Sequence, residues 1–501
     1  MEDMVLVSGW SFLLLVVVIT LFYVYSTWTY DTFKKLGIPG PKPWPLVGNI
    51  GMIKGHGAFA WQLKKEYGNV VGIYAGRQPV IFLFDPKLVK CVMIKDFDCF
   101  ASHSLSFFPT FDPPLEKSLL LLEGTRWKQV RSVMTPAFSS GKLQQMSPQI
   151  NSCADILVEN LHVLVETPVE LSNLTSRFSL DVISRVAFGF ETDAQNNLKE
   201  PVFQNQRKIL EISLGTFMLT FFFGDLINLL RMKFGIRPFV GQSVDFFTTL
   251  TKKLIEMRKS YTTESDDFFQ LLLRNSETHH STGPVVSEAK TNLNFSDEDL
   301  IAHTMTFYIG GSEPAGKTLT FLCHCLAFNP EVQDRLIEDI DDVVGSRKNI
   351  TPDLCAQVPY LKQCIYETLR LYPPFRRHSR QCTKTTDIEG IHFPVGVAIE
   401  IPAALMLMDP EYWKEPELFN PDRFSPEEQA ARDPILWQPF GAGPRICIGM
   451  RLALMELEIA TVKLLQNFRF LPGPGSERDI KLKDFILSDP VKPVVLHLQK
   501  R

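Results

Sequence analysis

The stretch Phe440-Gly441-Ala442-Gly443-Pro444-Arg445-Ile446-Cys447-Ile448-Gly449 decides the reading of this 501-residue chain. A long helical pattern starts directly after it, at Met450. A cysteine just ahead of a helix N-terminus meets partial positive charge and free N–H groups, and both favour thiolate over thiol. Gly441, Gly443 and Gly449 let the backbone turn tightly and approach a flat ligand closely. Arg445 stands two residues before the sulfur and can face an anion. Phe440 can pack against a ring or shield the sulfur. A lone cysteine is usually a small buried hydrophobe. Here the whole constellation opposes that reading and points to Cys447 as a thiolate ligand.

The same ten residues resemble the haem-binding loop of the cytochromes P-450. They match the pattern F-x-x-G-x-R-x-C-x-G at every fixed position. Other motifs agree in order. Glu367-Thr368-Leu369-Arg370 is similar to the family's E-x-x-R helix motif. Its ends share a helix face and can pair, although on a surface this would be an ordinary weak ion pair. Pro421-Asp422-Arg423-Phe424 resembles the segment whose arginine locks to that pair. Trp127-Lys128-Gln129-Val130-Arg131 resembles the helix that binds a haem propionate, and Trp127 and Arg131, at i, i+4, can both donate to one carboxylate. Arg380 lies about where the family places another propionate-binding arginine. His103 falls roughly where close relatives carry a further one, and a solvent-facing loop histidine is the competing reading. Lys34–Pro41, Phe138–Leu143 and Gly449–Arg451 look most like the subfamily 3A drug- and steroid-oxidising enzymes, of which thromboxane synthase is a near relative.

The resemblance implies a mainly α fold with small β-sheets, haem b held by Cys447, and Trp127, Arg131, Arg380, Phe440, Arg445 and Gly449 binding the cofactor. It also implies O2, an apolar small-molecule substrate, and electrons from NADPH through a separate NADPH-cytochrome reductase, with cytochrome b5 as a further partner. The chain has no convincing nucleotide motif of its own, since Gly310-Gly311 and Gly443 are not in G-x-G-x-x-G contexts. Lys128, Arg126 and Lys142 are candidates for docking a reductase, although surface basic residues are usually just solvated.

One departure matters for mechanism. The helical pattern from Glu298 to Phe328 should cross the oxygen side of the haem, where the family pattern is A/G-G-x-D/E-T-T/S. This chain reads Gly310-Gly311-Ser312-Glu313-Pro314-Ala315. The glycines and the acid fit, but the usual threonine is Pro314, which has neither hydroxyl nor N–H. Proline there frees the Gly310 carbonyl and preserves a kink while removing a proton donor. Thr318 is the nearest hydroxyl on that face. Glu313 and Pro314 therefore become the candidate catalytic positions. Three outcomes are open: a monooxygenase using Glu313 and water for protons, an endoperoxide isomerase of the thromboxane-synthase type needing no reductase, or a haem protein with little turnover.

At the other end, Met4 to Trp28 contains no charged residue, and about 20 apolar residues suffice to cross a bilayer. Glu2 and Asp3 precede the run and Lys34 and Lys35 follow it, which places the following domain in the cytosol. A cleaved signal peptide would need a basic start and a small-residue cleavage site. Here the start is acidic and Tyr23, Tyr25, Trp28 and Tyr30 crowd the exit. The reading is a membrane anchor over 1–28, a stiff Pro-rich linker over 29–48 built on Pro39, Pro41, Pro43 and Pro45, and a catalytic domain over 49–501. With the resemblance, this means a single-pass protein of the endoplasmic reticulum membrane.

Composition narrows the rest. Hydrophobic residues make up 45% and charged residues 22%, which is globular rather than disordered. A net charge of -4 gives no basic field for nucleic acid. The nine cysteines are scattered, without C-x-x-C or zinc spacing, as in a reducing compartment. The 38 phenylalanines fit a phenylalanine-rich core or a greasy cavity. Phe217, Phe221, Phe222 and Phe223 lie in a segment that is either core or a lipid-facing substrate entrance. Asn275 to Asn294 reads as an exposed connector.

Overall fold

The computed structural model describes residues 2–52, 56–104, 113–210, 241–260, 267–277, 294–483 and 487–501, with isolated positions between 215 and 234. Phe217, Phe221, Phe222 and most of the 275–294 connector lie outside the described residues; Phe223 is described and exposed. The fold is mainly helical. The helices used below are α1 (Glu2–Thr27), α2 (Gly124–Met134), α3 (Ser140–His162), α4 (Leu171–Phe188), α5 (Pro201–Leu210), α6 (Asp297–Phe328), α7 (Pro359–Leu371) and α8 (Met450–Asn467). The strands are β1 (Val70–Ala75), β2 (Gln78–Leu83), β3 (Val169–Glu170), β4 (His378–Gln381), β5 (Thr386–Ile388), β6 (Ile391–Phe393), β7 (Ala398–Ile401), β8 (Phe468–Pro472) and β9 (Val495–Lys500).

The chain divides into two compact units, Met1–Pro109 with Arg377–Leu405, and Thr110–Arg376 with Met406–Arg501. The cause is a long-range strand pairing that local pattern does not reveal. In the first unit β2 pairs in parallel with β7, Val80 opposite Ala398, across more than half the chain. The sheet order is β1-β2-β7-β4. β1, β2 and β7 are largely buried on both faces, with Val71, Ile73, Val80, Ile81, Ile399 and Ile401 fully enclosed, so they read as mostly apolar runs rather than alternations. β5 and β6 form a hairpin, because Glu389 and Gly390 both take positive φ at the turn.

The first unit also carries α1, the one helix among the described residues long and apolar enough to cross a membrane. From Trp10 to Tyr25 most of its large apolar side chains are exposed. The stretch after it is not a free strut. Its prolines have no N–H to give, but their carbonyls accept. The Gly72 N–H donates to the Pro39 carbonyl (2.8 Å), and Asn49 Nδ2 donates to the carbonyls of Pro41 (3.3 Å) and Lys42 (3.2 Å). A Cβ on Gly40 would sit 1.9 Å from the Gly72 oxygen, so only glycine permits this approach. Thr29 Oγ1 donates to the Arg77 carbonyl (2.7 Å) and Tyr30 Oη to that of Trp44 (2.7 Å). The Arg77 guanidinium lies over the rings of Tyr25 (3.9 Å) and Trp28 (5.5 Å).

In the second unit α6 is enclosed on nearly every side. It starts at a capping box in which Ser296 and Asp299 bond each other's backbone N–H. It packs on α4 at backbone distance, because a Cβ on Gly316 would lie 2.6 Å from Ser176 Cα. The Thr175 and Thr320 hydroxyls meet across this contact at 2.7 Å. β9 pairs antiparallel with β8 and β3, closing a three-stranded sheet.

Candidate functional site: the cysteine loop and the helix with Pro314

The loop ahead of α8 is shaped by two glycines. Gly441 (φ 75°) and Gly443 (φ 70°) occupy the left-handed region that other residues avoid. The Cys447 N–H donates back to the Phe440 carbonyl (2.9 Å), which closes the loop. Gly449 differs: its φ is -89°, and a Cβ added there would meet nothing within 4 Å. The turn does not require glycine at 449, but the empty space beside it admits close approach of a ligand. Gly449 caps α8, so Cys447 sits at the positive end of that helix.

Of nine free cysteines, seven are buried, Cys99 is intermediate and only Cys447 is exposed. Yet protein surrounds the thiol closely enough that burial raises its pKa, against the Gly449 and Met450 N–H groups and the Arg131 charge. The side chain is exposed and open to a ligand, although protein packs around its sulfur.

α2 brings its motif to the same loop. Arg131 Nη2 donates to the Ile446 carbonyl (2.7 Å), one residue before the cysteine. Trp127 is buried and stacks under the Arg445 guanidinium at 4.3 Å. Arg445 Nη2 donates to the Leu122 carbonyl (2.6 Å), and Nη1 lies near those of Leu119 (3.5 Å) and Leu120 (3.4 Å). Trp127, Arg131, Arg445 and Cys447 are thus brought together. Phe440 is half-buried, edge-on to Trp437 at 6.2 Å.

A buried charge cluster joins α7 to the Pro421–Phe424 segment. Arg370 Nε and Nη2 donate to the two Glu367 oxygens (2.7 and 2.8 Å), and Arg423 Nε donates to Glu367 Oε1 (3.3 Å). Both α7 partners are fully enclosed, so this is not the weak surface pair that the bare motif allows. The spare Arg370 donors reach the carbonyls of Leu407 (3.0 Å) and Leu418 (3.2 Å).

On α6 the non-buried residues after the first turn are Thr306, Ile309, Gly310, Gly311, Pro314 and Lys317, with Phe328 at the far end. Thr306, Gly310, Pro314 and Lys317 recur every three or four residues and so share a face. A Cβ on Gly310 would meet nothing within 4 Å. Pro314 lies inside the helix as expected. Thr318 is spent, since its Oγ1 donates to the Pro314 carbonyl (2.8 Å). Glu313 is buried and faces α4: Ser176 Oγ lies 3.5 Å from Oε2 and Lys317 Nζ 3.7 Å away. Burial pushes its carboxyl up, while Lys317 and Arg207 pull it down. Sequence reasoning missed Lys317 and Ser176, although the i, i+4 spacing of Glu313 and Lys317 was available.

Arg380 lies in the first unit, on β4. It is buried to 1% exposure, and burial alone lowers its pKa to about 10, with no carboxylate opposing the shift. Nη1 donates to the Ser379 carbonyl (2.8 Å) and to His103 Nδ1 (3.2 Å), while Nε has no partner among the described residues. His103 Nδ1 also lies 3.1 Å from the Ser379 oxygen. One neutral ring nitrogen cannot accept and donate at once; the guanidinium has no acceptor to offer, so it fixes Nδ1 as the acceptor. His103 is held beside β4 rather than facing solvent. A buried cation with no carboxylate partner among the described residues suits an anionic group such as a propionate.

A model of the family described as Cytochrome P450 matches residues 38–497. Cytochrome P450 3A29 of Sus scrofa is 36% identical, covering 99% of this chain and 98% of its own length. Cytochrome P450 3A7 of Homo sapiens is 35% identical over 98% and 97%. Lithocholate 6-beta-hydroxylase of Mesocricetus auratus is 36% identical over 98% and 97%.

Proposed function

The chain belongs to the cytochrome P450 family, and from that premise we propose a membrane-anchored enzyme that hydroxylates apolar, steroid- or drug-like substrates with electrons from NADPH through a separate reductase, cytochrome b5 assisting. It is a cytochrome P450 monooxygenase, and its family uses haem b, O2 and redox partners. The observation that supports this reading most is the single accessible cysteine, backed by N–H groups at a helix N-terminus. The residues of the second unit fit haem: an exposed thiol at a helix N-terminus, with open space beside Gly449.

When bound, haem b supplies the oxygen chemistry, with the thiolate feeding electron density to the iron. In this proposal the chain's residues do the rest. Cys447 Sγ, toward which the Gly449 and Met450 N–H groups and the Arg131 charge work in favour of thiolate, would be the ligand. Trp127, Arg131 and Arg445 would hold one side of the cofactor, and Phe440 would shield the sulfur. The α6 face at Gly310 and Pro314 leaves room for substrate. Glu313 holds the proton. The catalytic unit faces the cytosol, with α1 in the endoplasmic reticulum membrane.

The relatives favour hydroxylation over endoperoxide isomerisation, one being named for a 6-beta-hydroxylase reaction. The test is a steroid and drug panel incubated with holoenzyme, NADPH and reductase, alongside Cys447→Ser. Hydroxylated products, together with a thiolate-type carbon-monoxide spectrum that Cys447→Ser abolishes, support the proposal. Reductase-free rearrangement of an endoperoxide, or a spectrum unchanged by Cys447→Ser, overturns it.

A further inference from the structure

Pro314 leaves α6 without the hydroxyl that its neighbours' chemistry would call for, yet the acid beside it does not stand alone. Lys317, one turn on, places Nζ 3.7 Å from Glu313 Oε2 and 3.2 Å from Asp489 Oδ1. The other Asp489 oxygen accepts from Lys483 Nζ at 2.7 Å. Side-chain exposure falls along this series, from 56% at Lys483 to 36% at Asp489, 16% at Lys317 and 8% at Glu313. A surface ion pair has no need of such a gradient. Four alternating charges lead from solvent to a buried carboxyl next to the proline.

We propose that Asp489 and Lys317 form the proton entry of this enzyme, Lys317 being a positioning residue that holds Glu313 where solvent can recharge it. This deepens, and rests on, the monooxygenase reading. That reaction consumes two protons with two electrons for each O2 cleaved to water and one inserted oxygen atom, so a buried site must be resupplied. The transfer balances without any other reactant. Glu313 Oε2 takes a proton from solvent water admitted beside the Lys317–Asp489 pair, and the water takes one back from bulk hydronium. Only O–H bonds break and form, Lys317 keeps its three N–H bonds, and one positive charge has moved inward.

The groups facing Glu313 are Lys317 on its own helix, Ser176 from α4, Arg207 from α5 and Asp489 from the segment before β9. Among them Lys317 and Asp489 oppose each other in sign, which makes the proposal sharply testable. Removing the cation raises the proton affinity of Glu313, and removing the anion lowers it.

The experiment follows the protonated-carboxyl infrared band of resting holoenzyme across pH, assigned by its loss in Glu313→Gln. Lys317→Met is expected to move the titration of that band up by about one pH unit, a tenfold change in affinity, and Asp489→Asn to move it down by a similar amount. Lys317→Arg, which keeps the charge, is expected to stay near the parent. With NADPH and reductase, Lys317→Met and Asp489→Asn are expected to release several-fold more hydrogen peroxide per NADPH while keeping the parent carbon-monoxide spectrum. A band that titrates alike in parent, Lys317→Met and Asp489→Asn overturns the proposal, as does unchanged peroxide yield. Loss of the thiolate spectrum in the parent itself would instead sink the monooxygenase reading.

Discussion

Arg370 grips both carboxylate oxygens of Glu367 with two parallel N–H donors, and neither side chain has any exposed surface. A pair so placed is costly to break and cheap to replace, because a lone buried charge has nowhere to turn. Glu367→Gln or Arg370→Ala should destabilise the fold by about 3–5 kcal/mol. Replacing both partners by methionine should cost less than either single change. Urea unfolding of the three variants checks this, and so does haem retention, since Arg423 and the Asn420 N–H lean on the same carboxylate.

Gly316 is a contact that depends on the absence of a side chain. Gly316→Ala drives a methyl group to 2.6 Å from Ser176 Cα, and backbone cannot rotate away as a flexible side chain could. The expected loss is about 1–3 kcal/mol, seen as a lower thermal midpoint. Gly310→Ala, whose added carbon meets nothing within 4 Å, should fold normally and alter substrate selectivity instead.

Pro314 separates backbone from hydroxyl effects. Pro314→Ala restores an N–H for the Gly310 carbonyl and should raise the thermal midpoint without improving the coupling of NADPH to product. Pro314→Thr should lower hydrogen peroxide released per NADPH, because it adds the missing donor. Equal coupling in the two variants would show that the hydroxyl is irrelevant here.

Glu456, buried on α8 with the Ser179 hydroxyl as its partner, has its pKa raised from 4.5 to about 8 by burial. The folded chain therefore keeps a proton that the unfolded chain releases above about pH 4.5. Between those two values stability falls as pH rises, and it levels off beyond the folded pKa. Glu456→Gln removes this dependence. The variant should gain stability over the parent by a few kcal/mol near pH 8 and by little near pH 5. Denaturant melts at the two pH values measure the difference.

Much of the candidate site was legible because its chemistry is local. The cysteine loop is ten contiguous residues, and Glu367 with Arg370, or Trp127 with Arg131, are single helix turns. The main helices were readable from periodicity, with α6 expected from 298 and found from 297. What stayed hidden was long-range or short. The β2–β7 pairing joins residues 80 and 398, and no local pattern announces it. β4 is four residues that include Arg380, too brief and too polar to read as a strand. Lys317 was within reach of Glu313, but Asp489 is 172 positions further on, and nothing before the fold connects them. Burial was equally invisible: the same E-x-x-R spelling describes an exposed pair and an enclosed one.

Arg77, wedged against Tyr25 and Trp28 at the end of α1, leaves the anchor no slack. A tether of twenty loose residues would let a catalytic head tumble and explore the water above the lipid. Here the connection is short, fastened by the Thr29 hydroxyl to the turn between β1 and β2. If α1 stands upright in a bilayer, that turn rides at the headgroups, and lipid thickness or tilt is passed directly to the sheet it belongs to.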